Sequence, residues 1–275
     1  MKIYIAVDME GISGISSPDY IMSGEPGRLA AVGQRLMTAD VNAAVRGAFD
    51  GGATEVIVAD VHCTSGNILV EEVDPRALML SGSPYTPRFP FLDDSVDGMF
   101  LVGYHAMGGT LRATLEHTMS SRQWHKFCVN GKPYGELGID AEIAAECGVP
   151  VVLVTGDDKV CEEAHAFLGN IETAMVKQGL GRQAALCLSP QMGNQRVYEH
   201  AKKAVERLVG GEKFQLMETP CPATVTLTYK MVPDADAANV FGTRRIDGYT
   251  VEFPHQHLSE HYGGLWRDLG IEKKI

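Results

Sequence analysis

The chain has 275 residues, 45% of them hydrophobic and 21% charged, and a formal net charge of −11. That length allows one large core, or a large and a small one, in an ordinary folded protein, and the balance excludes a disordered or fibrous chain. The acidity excludes nucleic acid and anionic membrane as partners, because no basic stripe is available to release counterions. No apolar run reaches membrane-spanning length and no charged leader with a long apolar stretch is visible, so a cytoplasmic protein is expected. Cys63, Cys128, Cys147, Cys161, Cys187 and Cys221 are scattered without a CxxC pair and read as reduced thiols.

Residues 2–6, KIYIA, are rich in β-branched and aromatic side chains and predict a buried strand. It runs into Asp8 and Glu10, whose spacing sends both carboxylates from one face while the chain stays extended. Paired acids at a strand end persist only with cations, donors or a proton to offset their repulsion and lost hydration. Gly11 and Gly14 then turn the chain, and Pro18, Gly24, Pro26 and Gly27 mark a loop beside the strand end. Thr38 is the expected cap of a helix whose Val41, Ala44, Val45, Ala48 and Phe49 fall at helical spacing before Gly51 and Gly52 stop it. Residues 54–59 form the second strand, and β-α-β order implies a parallel pair with a right-handed crossover.

The second strand runs into Asp60, Val61 and His62. A weaker strand at 77–80 precedes a Pro- and Gly-rich stretch, and residues 98–103 make an apolar strand ending in Tyr104 and His105. In open α/β sheets the ligand site lies beyond the carboxyl ends of the strands, so parallel alignment brings Asp8, Glu10, His62 and His105 together. Asn130-Gly131 predicts a hairpin over 126–134, delivering the chain to Glu136 at the start of a helix over 136–147. Residues 149–155 are the most strongly β stretch, followed by Asp157 and Asp158 and a helix over 159–168. Beyond Ala174 the composition shifts, with Gly179, Gly181 and Ser189-Pro190, then a helix over 194–209 and an alternating, antiparallel-type strand over 223–230. The expected architecture is a three-layer α/β/α domain with a mostly parallel sheet over 1–189 and a smaller α+β domain over 190–275.

Asp8, Glu10, His62, His105 and Glu136 are three acids and two imidazoles, the donors that Zn²⁺ takes when a site keeps a position open for water. Five ligands exceed what one catalytic zinc needs and suit two ions about 3.5–4 Å apart, with Asp8 as the natural bridge. Each has a plainer explanation alone: Glu136 in a first helical turn simply favours the helix dipole. His125, His165 and His200 read as structural, and the His255-x-His257 pair with His261 as surface or accessory residues. His117, twelve residues beyond His105, is a candidate catalytic base, with Glu116 either orienting it or merely exposed. The glycines at 103–109 lack GxGxxG or P-loop spacing, which excludes a phosphate cradle there.

The motifs VDMEGISG, DVH at His62, GYHA at His105, EHTM at His117, VNGKPYGELG and VTGDD, followed by KQGLGRQAALCLSP, resemble the zinc-dependent D-aminopeptidases of the DppA type, peptidase family M55. The likeness runs from Lys2 to about Pro190 and fades beyond. It implies two zinc ions bridged by Asp8, with Glu10 and His105 on the first, His62 and Glu136 on the second, and His117 as catalytic nucleophile or base. It implies hydrolysis of the N-terminal residue of short peptides in a ring-like homo-oligomer of two stacked pentamers facing an inner chamber. Cys63 departs from the family pattern and places a soft potential ligand beside His62. The alternatives are a two-metal amidase or phosphoesterase, or a non-catalytic metal- or peptide-binding ring protein.

Overall fold

Strand β1 (Lys2–Val7) lies inside the larger sheet with Ile3 to Val7 fully buried, because every side chain of this run is apolar and both faces of the sheet are covered. The computed structural model describes residues 1–23, 25–63, 65–82, 87–218, 222–238 and 242–255. After a short ribbon of β2 (Met22–Ser23) and β3 (Glu25–Pro26) come α1 (Ala30–Asp50), β4 (Glu55–Asp60) and β5 (Leu78–Leu80). Then follow β6 (Gly98–Tyr104), the hairpin of β7 (Trp124–Val129) and β8 (Lys132–Tyr134), α2 (Glu136–Glu146), β9 (Val151–Asp157) and α3 (Asp158–Leu168). The chain continues through β10 (Glu172–Gly181), β11 (Ala184–Cys187), α4 (Pro190–Val209), β12 (Ala223–Tyr229), α5 (Val232–Asp236), β13 (Arg244–Arg245) and β14 (Thr250–His255).

The larger sheet has the order β11-β10-β9-β6-β1-β4-β5, parallel throughout except for β10 with β11. Val41, Ala44 and Val45 of α1 and Val197, Ala201 and Ala204 of α4 bury one face together with Ile3, Ile5 and Val7. Leu137 and Ile139 of α2 and Val160 and Ala164 of α3 bury the other with Tyr4, Ala6 and Leu101. This is the α/β/α arrangement that the strand and helix pattern implied. The second sheet, β13-β14-β12-β7-β8, is antiparallel, and its Phe127, Val225, Leu227 and Phe253 join the same core as α2. It draws on the hairpin before residue 135 as well as on strands after 222, while α4 lies on the larger sheet.

Helix α1 and strands β10 and β11 differ from the sequence expectation. Helix α1 begins at Ala30, and Thr38 sits buried in its middle, donating to the Gln34 carbonyl at 2.8 Å and accepting from the Leu69 amide at 3.0 Å. Leu29 occupies the cap without a side-chain bond, so the real start carries no local signal. Strands β10 and β11 occupy a stretch where the sequence shows a composition shift and predicts no element; Gly179 is there because a Cβ would lie 1.9 Å from the Arg112 carbonyl oxygen. Among the described residues no helix is long and apolar enough to cross a membrane.

The connection that positions the site is the reversal at β1. The chain leaves β1 through α1 to β4 on one side, and later places β6 on the other, with α1 and α2 on opposite faces. Crevices at such a switch point open beyond the carboxyl ends of the strands. Val7 pairs with both Asp60 and Val102, so β1 and β4 end level and β6 runs two residues further, to Tyr104.

Candidate metal centre

The three neighbouring strand ends deliver their polar residues to one place. The Asp8 amide donates to Val102 O at 2.8 Å, and Gly11 N to Gly103 O at 2.7 Å, so residues 8–11 lie against the end of β6. This approach requires glycine on both sides: a Cβ on Gly11 would lie 2.0 Å from Tyr104 O, and one on Gly103, at φ +72°, would lie 2.3 Å from Asp8 O. Beyond β4, the Asp60 carboxylate accepts from His62 N at 3.2 Å and Asn67 N at 2.6 Å, and Asn67 Nδ2 donates to His62 O at 3.0 Å. That pins His62 ahead of Cys63, which adopts φ +49°. The β7–β8 hairpin turns at Asn130 and Gly131, both at positive φ, and places Glu136 in the first turn of α2.

His62 Nδ1 lies 2.9 Å from Asp8 Oδ1 and 3.1 Å from Glu10 Oε2. His105 Nε2 lies 2.7 Å from Glu136 Oε2 and 3.5 Å from Asp8 Oδ2. His117 Nε2 is 3.7 Å from the same Glu136 oxygen, and its ring stacks on His105 with centroids 4.0 Å apart and planes 13° from parallel. Asp8, Glu10 and His105 each offer a ligand atom within 4.8 Å of the others, and so do His105, His117 and Glu136. His105 Nδ1 faces Ala106 O at 3.0 Å and His117 Nδ1 faces Leu115 O at 2.9 Å. A carbonyl oxygen only accepts, so each Nδ1 carries a proton; His117 Nε2 presents its lone pair to the cluster, while His105 Nε2 donates to Glu136 until a cation takes the place of that proton.

These groups tolerate one another only by redistributing protons. Burial, then the charge of Glu10, raises the Asp8 carboxyl to about 7. Burial opposes charge on His105, yet Glu136 outweighs it and lifts the imidazole to about 10, while Glu136, against the same burial, falls to about 2 beside His105. Asp8 Oδ2, 3.5 Å from His105 Nε2, is buried without a hydrogen-bond partner. Buried carboxylate oxygens crowded against imidazole nitrogens are what a divalent cation satisfies in place of protons, and the O/N donor set fits zinc. Cys63 is exposed and joins neither grouping, so among the described residues no thiolate enters the set. His200 is held by Glu172 at 2.9 Å and His165 by Gly169 O at 3.0 Å. His257 and His261 lie outside the described residues.

The sequence profile of the M55 peptidases, described as D-aminopeptidase, matches residues 1–266. The chain belongs to peptidase family M55. As a member of that family it is an aminopeptidase, a hydrolase. A D-aminopeptidase of Bacillus subtilis (strain 168) is 35% identical over 269 residues, covering 96% of this chain and 95% of that protein. The solved structure of the Zn-dependent D-aminopeptidase DppA from Bacillus subtilis, described as a self-compartmentalizing protease, superimposes with a TM-score of 0.89 at 32% identity over 100% of both chains.

Several residues of this M55 peptidase hold the site from behind: Asp157, expected from the sequence as a helix cap or an approach to the site, and Arg182, which the sequence did not single out. Asp157, the last residue of β9, caps α3 through Val160 N at 2.9 Å and accepts from Thr114 N at 2.7 Å, tying down the loop that carries His117. At the tip of the β10–β11 hairpin, Arg182 O accepts from Leu115 N at 2.8 Å, and Arg182 Nη1 donates to Glu116 Oε2 at 2.8 Å and to the Glu116 carbonyl. Glu116 therefore faces Arg182, and His117 takes its orientation from Leu115 O. Arg112, Leu115 and Met119 all adopt positive φ in this loop, a strain that persists only where neighbours over-determine it. Arg182→Ala is expected to speed amide hydrogen exchange over residues 112–119 by about three- to tenfold, the effect of losing a half-exposed charge-assisted bond. Unchanged exchange there would show that Asp157 alone holds the loop.

Proposed function

We propose that this chain is a dinuclear-zinc aminopeptidase that removes the N-terminal residue, in the D configuration, from short peptides. The convergence of Asp8, Glu10, His62, His105 and Glu136 at the strand ends carries this reading. The proposed ligand set has Asp8 between the ions, Glu10 and His105 toward one, and His62 and Glu136 toward the other. His62 Nδ1 also lies 3.1 Å from Glu10 Oε2, which favours a second division, with Glu10 and His62 on one ion and His105 and Glu136 on the other. When bound, the ions supply Lewis acidity that polarises the scissile carbonyl and makes water nucleophilic near neutral pH.

His117 is the proton carrier in this reading. Burial, then the charge of His105, lowers its pKa, so the ring is neutral near pH 7. With Nδ1–H anchored on Leu115 O, Nε2 is free to take the proton from the attacking water and return it to the leaving amine. Glu136 Oε2, 3.7 Å from Nε2, stabilises the imidazolium formed between those transfers. Zinc as the metal and D-residues as substrates are supported by what the Bacillus proteins are and by the oxygen and nitrogen donors present here. Homo-oligomerisation, proposed as two stacked pentameric rings, is supported by the self-compartmentalizing relative and by Leu180 and Leu186, which are 62% and 67% exposed on the β10–β11 hairpin.

A dipeptide panel of both hands tests the proposal. Free amino acid is expected from D-Xaa-Xaa peptides, lost after chelation and restored by Zn²⁺, with amine-blocked peptides untouched. Hydrolysis of blocked peptides at a similar rate would make the enzyme an amidase, and chelator-insensitive turnover would remove the metal from its chemistry.

A further inference from the structure

We propose that Lys177 is a positioning residue that fixes residues 10–15 in their site-forming conformation, so that the Glu10 carboxylate is aimed at the cluster before any cation arrives. This rests on the zinc-binding reading above. Lys177 lies on β10 and is 1% exposed. Its Nζ donates to the backbone carbonyls of Glu10 at 2.6 Å, Ile12 at 3.0 Å and Ile15 at 2.5 Å. Three donors meet three acceptors, which fills the bonding capacity of an ammonium. Among the described residues it forms no ion pair, although a buried cation ordinarily takes a carboxylate. Its whole complement goes instead to one irregular segment.

That segment needs an external hold. It leaves β1, passes the end of β6 at Gly11, and turns through Ile12 N to Met9 O at 3.2 Å and Ile15 N to Ile12 O at 3.1 Å, with Gly14 at φ +83°. Neither helix nor sheet pairs the carbonyls of Glu10, Ile12 and Ile15, and Lys177 takes all three. From the other side the Asp40 carboxylate accepts from Ser13 N at 2.8 Å and from Asn194 Nδ2 at 2.5 Å. A cation grips the carbonyls and an anion grips the amide, so the direction of the segment is fixed at both edges. Glu10 sits at its first turn and its carboxylate projects to His62. A ligand held this way loses no backbone freedom when the ion binds, which is how groups behind a metal site raise its affinity.

Hydrogen exchange on the wild-type chain and zinc competition on a variant test this. In chelator-treated wild-type protein the amides of residues 9–15 are expected to be as protected as in zinc-loaded protein. Exchange that is fast until zinc is added would mean that the ion orders the segment, and would overturn the proposal. Lys177→Met is expected to weaken the weaker of its zinc-binding steps by about 10- to 100-fold in competition with a chelator. Val205→Ala, a core truncation on α4, is expected to lower stability and leave zinc affinity unchanged. Wild-type affinity in Lys177→Met would refute the positioning role while leaving the zinc site intact. Absence of zinc binding by the wild type would instead remove the metal reading on which the proposal stands. Should Lys177→Met fail to fold, the exchange comparison on wild-type protein decides alone.

Discussion

His117→Ala is expected to lower kcat by about 10²- to 10⁴-fold, the range that a positioned proton-transfer group contributes, while zinc content stays near two per chain. The expectation follows from where the ring points. Its Nδ1 is spent on Leu115 O, its Nε2 stands 3.7 Å from Glu136, and the stacked His105 ring already lies closer to the same carboxylate oxygen at 2.7 Å. Burial and the charge of His105 keep His117 neutral. Added cations push its pKa further down, so the ring stays in the unprotonated form that can accept a proton. The acidic limb of the kcat profile should therefore disappear in the variant. A fall in zinc content with the same substitution would place His117 among the ligands, beside His105 and Glu136.

Asp8→Asn is expected to affect the loaded and metal-free proteins in opposite directions. With metal, removing the carboxylate proposed to lie between the ions should release zinc and cut turnover by about 10³-fold or more. Without metal, Asp8 is a liability. Burial and Glu10 hold its carboxyl at about 7, above the ordinary 3.8, so between those values the folded chain keeps a proton that the unfolded chain gives up. Its contribution to stability is therefore greatest at low pH and falls as pH rises from about 4 to 7. In chelator-treated protein at pH 7.5, Asp8→Asn should raise the denaturation free energy by about 1–2 kcal/mol, since an amide needs no counter-ion. Denaturant titrations with and without zinc read both signs. A variant destabilised equally in both conditions would show Asp8 to be an ordinary structural residue.

The larger sheet and the gathering of the site's side chains were legible because both follow from local patterns. Apolar runs that break off in Asp8, His62 and His105 announce strand ends, and parallel order aligns those ends without further information. Glu136 was reachable because Asn130-Gly131 encodes its turn. Less local features escaped. Thr38 looks like a cap, but its hydroxyl serves Gln34 and Leu69 within and beside the helix. The β7–β8 hairpin pairs Val129 with Val225, a partner whose distance along the chain no short-range signal can carry. Lys177 stands out only as a charge in an apolar stretch, since its partners are carbonyls of residues at the far end of the sequence. Arg182 is one arginine among several until the hairpin folds it against Glu116.

Diffraction at the zinc absorption edge from crystals grown with zinc is the most direct test of the centre. Two anomalous peaks are expected about 3.5–4 Å apart with Asp8 between them and Glu10, His62, His105 and Glu136 around them. No peak at the carboxyl ends of β1, β4 and β6, or zinc bound only elsewhere on the chain, would contradict it.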